Sequence, residues 1–207
     1  MVDAAAHLSA RLFRVAAFAL LACAVPVARG ESASSPALVV TGHCRDGLAQ
    51  GGYALRAPDG RLRVQGAFSQ GQRVGSFIFW SSTGVRIAHL PFDADALNGT
   101  VSLWYVDATD GDDPVRKLEA GYRAGQRHGL TRSWYPDGRP RAEFDYADGT
   151  LVAARAWSPA GTTYDDTQAR ALAERDGAAD VEYLDALLAT VRRHMPDCAP
   201  PPARQHA

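Results

Sequence analysis

The chain has 207 residues, with 22 Lys and Arg against 23 Asp and Glu, and 46% of it is hydrophobic, enough apolar material for the core of one elongated domain. The formal charge is −1, and −3 (19 basic against 22 acidic residues) once residues 1–30 are set aside. That balance makes nucleic acid and bare anionic lipid poor default partners. Arginine outnumbers lysine 21 to one, a bias of composition rather than a binding patch.

At the N-terminus, Arg11 and Arg14 precede an apolar run from Val15 to Val27, and Ala28-Arg29-Gly30 places small residues where a signal peptidase cuts. Residues 1–30 are therefore expected to be a signal peptide. Leu20-Leu21-Ala22-Cys23 also resembles a lipobox, so a lipoprotein signal ending before Cys23 is the alternative, with lipid on that cysteine and a tether rich in Ala, Ser and Pro after it. The apolar run is too short for a comfortable membrane span. Membrane contact is then expected only if Cys23 is lipidated. The working place is expected to be the periplasm or, with lipid attached, the outer membrane. Residues 31–46 are expected to be a linker and N-terminal segment. They end near Cys44, which with Cys198 makes two thiols in the folded part. In an oxidising compartment these two are expected to form a disulfide between the ends of the chain, the alternative being two free cysteines.

A repeat follows over 47–164. Trp80, Trp104, Trp134 and Trp157, the only tryptophans, stand 24, 30 and 23 residues apart. Four residues after the tryptophan comes Gly84, Gly138 or Gly161, and Gly60 holds that place in an earlier unit. Phe68, Phe92, Tyr122 and Tyr146 form an aromatic column, followed by Gly71, Gly125 and Gly149, and then by Gly75, Gly99 and Gly129. Asp95 and Ala153 are the exceptions in the last two columns. Segments of this length between glycines suit strands, so each unit is expected to be one β-hairpin.

Alternation agrees. Leu62, Val64 and Phe68 share one phase, as do Ala88, Leu90 and Phe92, then Leu118, Ala120 and Tyr122, then Ala142, Phe144 and Tyr146; the opposite phase carries Arg61, Arg63 and Gln65, or Arg141, Glu143 and Asp145. Side chains two apart share a face, so one face is predicted to be buried and the other wet.

The stretch Tyr122-Arg-Ala-Gly-Gln-Arg-His-Gly129-Leu-Thr-Arg-Ser-Trp134-Tyr135-Pro-Asp-Gly138 resembles the variant MORN (membrane occupation and recognition nexus) repeat of the bacterial YwqK-like antitoxin family. The resemblance covers roughly 47–164. It implies an elongated, curved antiparallel sheet of stacked hairpins that serves as an interaction platform, with no catalytic residues and no cofactor. A cytoplasmic antitoxin carries no export signal, whereas this chain does; an immunity role in the periplasm reconciles the two.

The acidic run Asp107-Ala-Thr-Asp110-Gly-Asp112-Asp113 lacks the alternate-acid spacing and distal glutamate of a calcium loop and accounts for the one long tryptophan spacing as an insertion. Residues 165–195 change period. Asp165, Asp166 and Thr167 offer N-caps for a short helix to about Arg175, Gly177 interrupts it, and a second helix starts near Asp180 with Leu184, Leu187, Leu188 and Val191 on one side. This helical segment is expected to cap the open end of the sheet. Residues 196–207 form a proline-rich tail.

Few residues offer chemistry. His43 beside Cys44 has no second pair at zinc spacing. His128 lies between turn glycines, and Ser81 and Ser82 lack a nucleophile-elbow context. The tryptophan column fits packing between repeats better than a stacking stripe for glycan or peptide. No catalytic, metal or cofactor site is therefore expected. An unidentified protein partner in the envelope is expected on outward charged positions such as Arg63, Arg141, Glu143 and Arg155. Two functional classes remain: a noncatalytic protein-binding module, and a structural or membrane- or cell-wall-associated envelope factor.

Overall fold

A computed structural model describes residues 37–110 and 113–198. The signal segment, Cys23, Asp112 and the tail beyond Cys198 lie outside the described residues. The chain forms one open antiparallel sheet: β1 (Val39–Arg45), β2 (Leu48–Arg56), β3 (Leu62–Ser69), β4 (Gln72–Trp80), β5 (Arg86–Asp93), β6 (Ala96–Leu97), β7 (Gly99–Asp110), β8 (Asp113–Arg123), β9 (Gln126–Trp134), β10 (Pro140–Ala147) and β11 (Thr150–Ala156). Spatial order follows chain order, except that the two-residue β6 pairs only with β5, beside β7. One helix, α1 (Asp166–Arg193), follows.

Two kinds of turn alternate along the meander, and they explain two of the glycine columns. At one end, Asp46-Gly47, Gln70-Gly71, Ala94-Asp95, Ala124-Gly125 and Asp148-Gly149 hold both residues at positive φ, the requirement of a two-residue type I′ hairpin. Asp95 can replace glycine there because it tolerates the left-handed region and its carboxylate accepts from the Arg73 backbone N–H (2.9 Å) and Nε (2.7 Å). At the other end, Pro58-Asp59-Gly60 and Pro136-Asp137-Gly138 make wider turns in which the glycine N–H donates back to Ala57 or Tyr135. Proline presets the first turn residue and glycine takes the positive φ.

The third glycine column has a fixed partner across the ladder. Gly51 faces Phe68, Gly75 faces Phe92, Gly99 faces Tyr122 and Gly129 faces Tyr146. Each of these glycines holds a positive φ, a region that side chains disfavour, and each stands opposite the aromatic column, so the two columns recur together. The unit β1–β2 obeys the same rule. The segment 31–46 is therefore not all linker: Val39–Arg45 is a strand, and the signal for it is Asp46-Gly47, one period before Gly71.

Alternation divides the faces as expected. One inward row crosses the sheet as Leu55, Val64, Phe79, Ala88, Leu103, Leu118, Ser133, Ala142 and Ala156, all buried. Leu62, by contrast, is only half-buried, because the register shifts beside it.

The helix covers this inward face. It is one continuous segment of 28 residues, not two, and it starts at Asp165 with a capping box to Gln168. Ala169, Leu172 and Ala173 pack with Ala142, Phe144 and Ala156; Leu184 and Val191 join the larger cluster around β2–β8; and the Tyr53 hydroxyl donates to the His194 carbonyl (3.0 Å). At 1.5 Å per residue the helix runs ~42 Å, and the nine gaps between the ten main strands span ~43 Å. The expected cap over the terminal strand is thus also a strap across the whole face. Asp176 and Asp180 occupy the inward stripe between Ala173 and Leu184. That is why the apolar period breaks in the sequence without the helix breaking.

Candidate functional site

The uncovered face carries its own row across the strands: Thr41, Ala54, Gln65, Ile78, His89, Ser102, Glu119, Arg132, Glu143 and Arg155. Over the last four strands the charges alternate in sign, the arrangement that cross-strand pairs favour. The Arg132 guanidinium lies 3.5 Å from Glu143. At mid-row, His89 Nε2 and Ser76 Oγ share a 2.8 Å hydrogen bond. Burial, then the nearby Arg86, push the His89 imidazole below its ordinary value.

The predicted surface residues divide. Glu143 and Arg155 belong to this row, whereas Arg63 is half-buried and is the residue skipped by the register shift beside Arg56, so it does not fall in the row by alternation. Arg141 does not belong with them. A register shift between Pro140 and Ala142 frees its side chain to reach the helix, where it forms a bidentate pair with Asp176, with Nη2 to Oδ1 at 2.9 Å.

That pair is one of a series along the helix–sheet seam. Arg127 of β9 meets Asp180 at 2.7 Å, both side chains nearly buried at 11% and 12% exposure. Lys117 of β8 sits 5.2 Å from the Tyr183 ring centre. Burial pushes the Asp180 carboxyl above its ordinary value, with Arg127 and Lys117 pulling it back. Burial alone pushes the Tyr53 phenol up to about 12.

The tryptophans are framework. Trp104 is 7% exposed and lies between the guanidinium groups of Arg86 (4.3 Å) and Arg116 (5.4 Å). Trp80, Trp134 and Trp157 are half-buried at strand ends. The Tyr105 hydroxyl donates to the Trp134 carbonyl (2.9 Å) and the Tyr135 hydroxyl to that of Trp157 (2.7 Å), stitching each unit to the next. Gly60, Gly84, Gly138 and Gly161 all take positive φ in the wider turns.

Cys44 and Cys198 are disulfide-bonded, with Cα atoms 5.5 Å apart. This fits a protein working outside the reducing cytoplasm. His128 Nδ1 contacts Asp148 (3.1 Å) between neighbouring repeats, and Ser81 Oγ accepts from the Val85 N–H (3.0 Å) within its turn. Among the described residues no helix is long and apolar enough to cross a membrane, and no group of three or more His, Cys, Asp and Glu is placed to hold a metal ion.

Sequence reasoning missed a second cluster. Thr131 and Ser133 of β9 face the helix where β4 has Phe77 and Phe79 and β7 has Val101 and Leu103. The two hydrophobic clusters of the core lie on either side of these hydroxyls. Aligning the repeat columns exposes the substitution; what no column shows is that Asp176 and Asp180 lie opposite it. No protein-family model and no curated protein matches the chain.

Proposed function

We propose that the chain is a noncatalytic, exported repeat protein that holds a protein partner in the cell envelope, in the manner of an immunity or antitoxin protein. The carrying observation is the asymmetry of the sheet. α1 occupies one face, while the other carries a row across ten strands that is polar from His89 onward and alternates in charge over the last four. An extended platform of alternating charge is suited to fixing the register of a protein partner rather than to enclosing a substrate. The MORN-like repeat supports the same reading. The Cys44–Cys198 disulfide and the apolar segment before Gly30 support export, to the periplasm or, through lipid on Cys23, to the outer membrane.

A photo-crosslinking amino acid at Gln65, Arg132 or Arg155, with Glu174 on the exposed side of the helix as control, tests this in intact cells. The expected result is one envelope protein captured from the sheet positions and not from Glu174, with capture lost in Arg132→Glu/Arg155→Glu. Capture from neither side, with the pure protein retained on cell wall or lipid vesicles, would replace this reading with a structural envelope role. Palmitate labelling of wild type against Cys23→Ala decides the anchor.

A further inference from the structure

Beneath the middle of α1 lies a cavity of about 290 Å³, lined among others by Tyr105, Lys117, Thr131, Ser133, Arg141 and Asp180. That volume is too large for a single water and sits at the lower end of small-molecule pockets. Three independent features mark it as built for a ligand.

The first is the pair of hydroxyls. Thr131 is 1% and Ser133 9% exposed, and neither Thr131 Oγ1 nor Ser133 Oγ has a hydrogen-bond partner in the protein. Buried polar groups are nearly always paired, and Val with Ala would fill the same space without the desolvation cost. The second is a departure within the repeat: at these positions β4 places Phe77 and Phe79, β7 Val101 and Leu103, and β11 Ala154 and Ala156, whereas the strand over the cavity places two aliphatic hydroxyls. The third is charge. Lys117, Arg127 and Arg141 meet Asp176 and Asp180 around the cavity. Each arginine is engaged by one aspartate, whereas Lys117 has no carboxylate within 4.0 Å among the described residues. Lys117 is also the chain's only lysine. One positive charge is left over beside two unpaired hydroxyls.

We propose that this cavity binds a small carboxylate anion, whose oxygens accept from Thr131 Oγ1 and Ser133 Oγ and whose charge is balanced by Lys117. This is independent of any partner on the uncovered face. A carboxylate suits the site because it accepts hydrogen bonds only, matching donors that have no acceptor, and because its single charge matches the surplus.

The single lysine supplies a direct probe. Reductive methylation of the full-length protein with ¹³C-formaldehyde gives one lysine resonance, to be titrated with sodium acetate and sodium lactate against acetamide and sodium chloride at matched ionic strength. The expected result is a saturable shift of that resonance, and a parallel rise in Tm of the unmethylated protein, with the carboxylates alone. Lys117→Gln is expected to weaken the Tm response at least ~tenfold, and Thr131→Val/Ser133→Ala to weaken both responses by as much. The double variant removes only unpaired polar groups, so it folds. The same response to acetamide or chloride, no saturable response in wild type, or an undiminished one in the double variant would each overturn the proposal and leave the hydroxyls to internal water.

Discussion

Replacing both Cys44 and Cys198 with serine removes the one covalent tie between the first strand and the segment after the helix. The bonded residues are 154 positions apart, and closing a loop of that length removes enough chain entropy from the unfolded state to stabilise the fold by ~5 kcal/mol. The folded state loses little beyond the bond. Val191 remains buried at 2% exposure, Tyr53 still bonds the His194 carbonyl, and Pro196 still lies over Gly42, where a Cβ would approach it to 2.5 Å. The loss is therefore assigned to the unfolded chain. In urea melts followed by circular dichroism, the variant is expected to unfold at a much lower midpoint and with a larger m-value, because its unfolded state exposes more surface. Hydrogen exchange at the C-terminal turns of α1 in the folded variant is expected to show protection limited by the lower global stability. Dithiothreitol should reproduce the effect in wild type and add nothing to the variant. A stability difference below ~1 kcal/mol would refute this account, and so would selective fraying of the helix end, which would place the effect in the folded state.

Three further outcomes follow from particular residues. Ala124 holds φ 46 just before Gly125, so Ala124→Asn creates the preferred Asn-Gly turn and is expected to raise stability by ~1 kcal/mol in urea melts. Asp180→Leu strands Arg127 in a nearly buried position and is expected to cost ~3–5 kcal/mol, whereas Arg127→Met/Asp180→Leu recovers most of that loss; a double-mutant cycle reads the difference. Tyr53, at about 12 in the folded protein against 10.0 unfolded, contributes stability that is whole below pH 10 and lost as the pH rises through the folded value. Melts across that window are expected to fall by up to ~2–3 kcal/mol in wild type, and Tyr53→Phe is expected to flatten this part of the fall.

The sheet was legible because its rules are local. Gly71 and Gly125 mark tight turns, Phe92 and Tyr146 mark strands that face glycine, and period-two alternation assigns the faces. The paired cysteines followed from composition and compartment. The helix was misjudged in the middle because Asp176, Gly177 and Asp180 look like an end and a new start. They continue the helix because Arg141 and Arg127 meet the two aspartates from below, and those arginines lie 35 and 53 residues away in sequence. Arg141 was misplaced for a related reason: a one-residue register shift, invisible in the pattern, turns it from the open face to the seam. Long-range charge pairing and bulges leave no periodic trace in a single chain.

The matched lengths of helix and sheet bear on how such a protein can evolve. A stack of hairpins ordinarily lengthens by duplicating a unit, since each unit touches only its neighbours. Here one more hairpin would widen the sheet by ~10 Å, and α1 would need ~6 additional residues to reach its disulfide partner. A duplication of the repeat alone would leave Cys198 short of Cys44, so the number of units is locked to the length of an element outside them.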